Sequence, residues 1–308
     1  MLTYLIQRLL QGILVIFLVS LLTFIVMQLA PGDSVRLLVG EAYVTPEQLD
    51  LIRAKWGLDQ PWYVQYWTWI SNLVRGDLGT SIIRQGVPIS EMVSDAASMT
   101  LRLSVMSFVI AACIAIPVGV LAAIKRYSWF DYGSMLGSTL GVAVPNYWIG
   151  LMAIVIFSVQ LGWLPPYGAD SWRAYILPVI VLAIEEMAAL ARLTRGATIE
   201  VMGQDFVTTS RAKGLAPRIV IVRHIVRNAL LPVITIIGYR IAFILSGTIV
   251  VETVFAWPGL GRLFYNSIQS HDFQVVQAIV ILLTVIVVVM NILTDLTYAI
   301  IDPRVRVR

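Results

Sequence analysis

The chain has 308 residues, of which only 40 are charged (22 Lys or Arg and 18 Asp or Glu), or 13%. Soluble domains carry about 25% charge, whereas 58% of this chain is hydrophobic and its mean hydropathy is +0.83. That excludes a soluble enzyme, and it excludes disorder, which needs low hydrophobicity and high net charge; a polytopic membrane protein remains. The single cysteine, Cys113, rules out an internal disulfide and a cysteine-based zinc site, and no metal site is expected. The net charge of +4 reads as a basic excess in cytoplasmic loops rather than as nucleic-acid binding.

Residues 9–32 carry no charge. The run is longer than the about 7–15 apolar residues of a signal peptide and no A-x-A site follows, so it reads as a retained first span. The apolar segments place six transmembrane helices at about 9–29, 103–124, 135–160, 175–191, 229–251 and 275–301. They lack the alternating polarity of barrel strands. With the N-terminus inside, the 62 residues of the cytoplasmic pieces hold 13 of the 22 basic residues, whereas the 108 residues of the outer pieces hold eight. The positive-inside rule therefore puts both termini in the cytoplasm. The chain reads as a single all-α permease domain over residues 1–308.

Between the first two spans lies an extracytoplasmic insertion at about 33–98. Thr45-Pro46-Glu47-Gln48 is a helix start, with Thr45 as N-cap, Pro46 in the first turn and Gln48 three residues after the cap. Pro61 opens a stretch rich in aromatics (Trp62, Tyr63, Tyr66, Trp67, Trp69). These residues suit either an interfacial belt or a docking lip for an external protein. The inner loop at about 192–228 carries seven basic residues. Its pattern predicts a short helix from Asp205 to Lys213 ended by Gly214, then a second start at Pro217. Residue chemistry alone leaves two readings, a cytoplasmic platform for a partner or a solvated basic loop.

Four charges fall inside spans: Glu185, Glu186, Arg240 and Asp295. Glu185 lies ten residues after Tyr175, ~15 Å of helix rise, and Arg240 lies twelve residues from both Asn228 and Glu252, so both approach the bilayer midplane. A charge there costs roughly 2.5–3.5 kcal/mol. Glu185, Glu186 and Arg240 read either as a structural pair between spans four and five or as part of a pathway. Asp295, with Asn291 one turn earlier, suits hydrogen bonding between helices. Gly133, Gly137 and Gly141 suit close helix packing. Pro145 is expected to kink or open span three and Pro117 span two, which makes Asn146 a pathway candidate.

The run Asp205-Phe206-Val207-Thr208-Thr209-Ser210-Arg211-Ala212-Lys213-Gly214-Leu215 resembles the cytoplasmic EAA…G coupling loop of ABC importer permeases. Thr208-Thr209-Ser210 stands where that pattern has EAA, with Arg211 as the substitute contact. The continuation Arg223-His224…Arg227-Asn228-Ala229-Leu230-Leu231-Pro232 is similar to the dipeptide/oligopeptide/nickel subfamily. So are Pro31-Gly32-Asp33, Gly57-Leu58-Asp59-Gln60-Pro61, Gly76-Asp77-Leu78-Gly79, Trp257-Pro258-Gly259-Leu260-Gly261 and Asp302-Pro303-Arg304.

The resemblance implies a type I ABC importer transmembrane domain in the bacterial cytoplasmic (inner) membrane. It implies a second homologous permease, two cytoplasmic ATPase subunits and an extracytoplasmic substrate-binding protein. The ATPase-coupling residues would be Asp205, Thr209, Ser210, Arg211, Ala212, Lys213, Gly214 and Leu215. Peptide is the implied cargo; nickel chelates, opines and oligosaccharides are alternatives. None of the three lysines, Lys55, Lys125 and Lys213, follows a glycine as a Walker A loop requires, so ATP and Mg are expected on partner subunits, with no cofactor and no catalytic residue in this chain. A secondary transporter is a rival, but it would show an internal repeat. An intramembrane hydrolase fails because His224 and His271 fall on opposite sides.

Overall fold

The computed structural model describes residues 2–29, 45–84, 86–234 and 248–301. Among them the structure is helical, with one isolated β-bridge between Thr80 and Pro88. Four helices are long and apolar enough to cross a membrane, and a bent helix pair makes a fifth candidate. Part of the segment expected to span at 229–251, including Arg240, lies outside the described residues. The chain divides into two compact units, residues 1–100 with 258–308, and residues 101–257.

The first unit holds α1 (Leu2–Leu29), α2 (Pro46–Lys55), α3 (Trp62–Val74), the opening turns of α4 (Ile89–Ile124), and two helices near the C-terminus, Leu260–Gln269 and Phe273–Ile301. The start of α2 closes as the sequence predicts: Gln48 N–H donates to Thr45 Oγ1 at 3.4 Å, and Thr45 N–H donates to Gln48 Oε1 at 3.1 Å. On α3 the aromatics divide by face. Tyr66 is buried and shares a 2.9 Å hydrogen bond with Ser20 of α1, while Trp69 stacks on Phe24. Trp62, Tyr63 and Trp67 remain exposed. Gly12 of α1 meets the last helix so closely that a Cβ would lie 2.6 Å from Val288 Cγ1. Ile89, Met92 and Val93 form a core with Leu260, Val275 and Ile279.

The second unit holds the rest of α4, then α5 (Trp129–Ala143) and α6 (Asn146–Ala153), which continues as wide π-helical turns to Gln160. Next come α7 (Trp172–Met202), α8 (Asp205–Ala212) and α9 (Pro217–Ile219), followed by π-helical turns Val220–Val226. Helix α10 (Ile249–Val254) ends the unit, followed by Trp257, fully buried against Tyr175. Between α5 and α6 the chain bends by 98°. Pro145 has no N–H to donate and forces the preceding residue out of the helical region, and Val144 is accordingly extended at φ −89°, ψ 125°. By contrast α4 continues as one helix through Pro117, so the span does not open there.

The glycine seam also differs from expectation. Among the described residues a Cβ on Gly133 or Gly137 would meet nothing, and of the three Gly141 alone packs there, against Ala188 and Ile184 of α7. The close approach instead uses α4, where Ala111, Ala115, Gly119 and Ala122 are buried at helical spacing. A Cβ on Gly119 would lie 2.6 Å from the Ala191 carbonyl oxygen and 2.7 Å from Thr194 Cβ, so α4 and α7 touch there almost backbone to backbone. Gly119→Ala should therefore lower stability by ~1–3 kcal/mol through overpacking. A fall in the thermal midpoint of the purified complex checks this, with Gly133→Ala expected to leave the midpoint unchanged.

Candidate functional site

The coupling segment has the predicted shape. Helix α8 runs Asp205–Ala212 with Lys213 as its C-cap. Gly214 follows at φ +77°, the left-handed conformation that ends helices and that a side chain resists. Its N–H donates to the Arg211 carbonyl at 2.9 Å. Pro217 then opens α9 at its first turn, so two short helices flank a glycine turn.

Burial separates the roles of the residues in α8. Val207 is 1% exposed and packs with Val201, Val220 and Ile225. Ser210 also faces inward, and its hydroxyl donates to the Phe206 carbonyl at 2.7 Å. Thr209 donates to the Asp205 carbonyl at 2.9 Å. Both hydroxyls are thus engaged by the helix itself. The outward surface carries Asp205, Phe206, Arg211, Ala212, Lys213 and Leu215. Phe206 and Leu215 are large apolar side chains left exposed beside two cations, a composition suited to a protein groove.

The intramembrane candidates meet in part. Asn146, the first residue after the break, donates from Nδ2 to Glu185 Oε2 at 2.6 Å. Its helix packs through Ile149 and Ala153 against Leu177, Val181, Val251 and Phe255. Glu185 is exposed and Glu186 half-buried. The expected meeting of Glu185 with Arg240 falls outside the described residues, as does the Asp295 side chain.

One buried link has no counterpart in the sequence reading. Asp131, 2% exposed, accepts from Arg195 Nε at 2.5 Å and from an Arg195 terminal nitrogen at 2.8 Å. It also accepts from the Tyr127 N–H at 3.0 Å. Ser128 caps α5 by accepting from the Asp131 N–H. The local part of this arrangement was readable, because Ser128-Trp129-Phe130-Asp131 is an [ST]-x-x-[DE] cap. The arginine arrives from α7, 64 residues away, and no spacing announces it. The pair ties the start of α5 to α7 at Arg195, seven residues before α7 ends at Met202 and ten before α8 begins at Asp205.

Residues 115–307 match the model of the binding-protein-dependent transport system inner membrane component, and residues 1–90 match that of the N-terminal membrane component of such systems. The chain belongs to this family. It is an ABC importer permease, a multi-pass membrane protein and a transport component. It is 42% identical to the oligopeptide transport system permease protein AppB of Bacillus subtilis (strain 168), covering 99% of each chain. It is 40% identical to the glutathione transport system permease protein GsiC of Escherichia coli (strain K12), again over 99% of each. A crystal structure of an amino acid ABC transporter with histidines has the same fold, with TM-score 0.53 and 18% identity over 68% of this chain and 93% of that one.

In this permease the Asp131–Arg195 pair locks α5 against α7. Asp131 is buried but Arg195 is half-buried, so losing the pair costs about 1–3 kcal/mol, the penalty of a polar group left without its partner. Asp131→Asn should destabilise the purified complex on that scale, and Asp131→Asn combined with Arg195→Met should recover much of the loss. Thermal unfolding of the single and double variants checks both expectations.

Proposed function

We propose that this permease forms one half of the route through an ATP-driven peptide importer. A second, similar permease supplies the other half. An extracytoplasmic binding protein delivers the peptide, and two cytoplasmic ATPase subunits bind the ATP and Mg, leaving this chain without a catalytic role. Six spans with both termini in the cytoplasm fit the charge distribution, with 13 of 22 basic residues in the inner pieces. The peptide cargo is supported by the oligopeptide and glutathione systems to which the two relatives belong.

The observation that carries the mechanism is the split character of α8. Its inner face is anchored through Val207, and its outer face leaves Phe206, Arg211, Lys213 and Leu215 uncovered. ATP-driven closure of the ATPases would push on that outer face, and the anchored inner face would pass the movement to α7. Arg211→Glu reverses the exposed charge without touching the core. ATPase subunits should then co-purify with the permease at least fivefold less well, while the permease itself stays folded. Undiminished co-purification together with undiminished ATP-dependent uptake would reject the assignment.

Along the route, Glu185 and Asn146 receive the peptide's ammonium group. Glu185 is exposed beside a broken span, and no basic side chain pairs with it among the described residues. Glu185→Gln keeps a hydrogen-bonding group of the same size and removes the charge. It should raise the KM for peptides with a free amino terminus about tenfold, and leave N-acetylated peptides, transported poorly by the wild type, unaffected. Uptake into proteoliposomes of both peptide forms measures the difference.

A further inference from the structure

We propose that a groove between α4 and α7 is a phospholipid site, with the lipid phosphate on Arg102 and one acyl chain lying along the helices. The groove encloses about 830 Å³ and belongs entirely to the second unit. Its floor and walls are apolar: Val105, Met106 and Ile110 from α4 face Ile176, Val179 and Ile180 from α7. Arg102 and Trp172 stand together at one end. From Arg102 to Ile110, and from Trp172 to Ile180, is eight residues on each helix, ~12 Å of rise, so both walls descend in step from the same polar mouth.

That layout is amphiphilic in the sense a lipid is. A guanidinium and an indole mark the depth of the head groups, and hydrocarbon-like walls lie below them. Arg173 reinforces the mouth, its guanidinium 5.6 Å from the centre of the Trp172 ring. Arg102 is exposed and has no acidic partner among the described residues. A phosphate would give it paired, charge-assisted hydrogen bonds. Charge complementarity also argues against the main competing occupant. A transmembrane helix of the second permease laid in the groove would cover the guanidinium with apolar side chains, which is costly without a counter-charge.

The test uses the intact complex, purified in mild detergent and titrated with phosphatidylglycerol in native mass spectrometry. Wild-type complex should retain the lipid, and Arg102→Glu, which opposes the phosphate, should reduce retention at least fivefold. Val105→Trp, which fills the groove without altering charge, should do the same. A photoreactive residue at position 176, activated in native membranes, should attach to phospholipid. Equal retention by the wild type and both variants overturns the proposal, and so does attachment of position 176 to the second permease.

Discussion

The second unit is organised around the place where α4 and α7 touch with no side chain between them. At Gly119 the Ala191 carbonyl and Thr194 occupy the space a Cβ would fill. This fixes the position of one helix against the other to within a methyl group. It matters in a membrane because lipid tails are as apolar as leucine, so burying leucine against leucine gives helices little reason to associate. What holds them is close packing of small residues and satisfied polar links. Ala111, Ala115, Gly119 and Ala122 supply the first, and Asp131 with Arg195 the second.

These two devices act on the same few turns of α7. Gly119 rests on residues 191 to 195, and Arg195 is also the residue that reaches Asp131. The backbone contact sets the distance, and the bidentate pair restricts the rotation, because its two parallel hydrogen bonds need the guanidinium and carboxylate planes aligned. From there the chain needs only Gly203 and Gln204 to reach α8. A helix so short derives little stability from its own hydrogen bonds. Its position is inherited from α7 and from the Val201, Val207, Val220 and Ile225 cluster beneath it. A force applied to α8 therefore has a stiff route into the membrane-embedded part of α7.

The features legible in the sequence are the ones that local chemistry determines. Thr45 and Gln48 close a cap within a single turn. Gly214 ends α8 because only the left-handed conformation lets the chain reverse there, and Pro145 breaks its span because it lacks a donor. The long apolar helices follow from the distribution of charge. What failed depended on partners. Gly133, Gly137 and Gly141 have the spacing of a packing seam, yet spacing does not say whether another helix lies opposite, and among the described residues none meets the first two. The working seam on α4 is mostly alanine, which composition does not single out from any other apolar stretch. Pro117 lies in a helix of 36 residues whose neighbouring turns hold it, whereas Pro145 follows a helix of only 15. Asp131 follows Lys125 and Arg126 in sequence, yet the arginine it binds lies 64 residues further on.

The break at Pro145 does more than bend a span. It frees the first N–H groups of α6, the positive end of a short helix dipole, and sets Asn146 at that end. The Glu185 carboxyl, held by Asn146 at 2.6 Å, therefore sits beside a helix start and not against the uniform wall of a continuous helix. An acidic side chain in mid-span needs such a setting, because a continuous helix satisfies its own backbone and offers it no donors. An interrupted helix can also change the angle between its halves without unwinding either, by rotation about Val144 and Pro145, whose backbones are extended at φ −89°, ψ 125° and φ −62°, ψ 136°. The same proline thus accounts for the exposed Asn146–Glu185 pair and for the 98° bend beside it. A polar pair beside an interrupted helix is what the proposed peptide route would draw on.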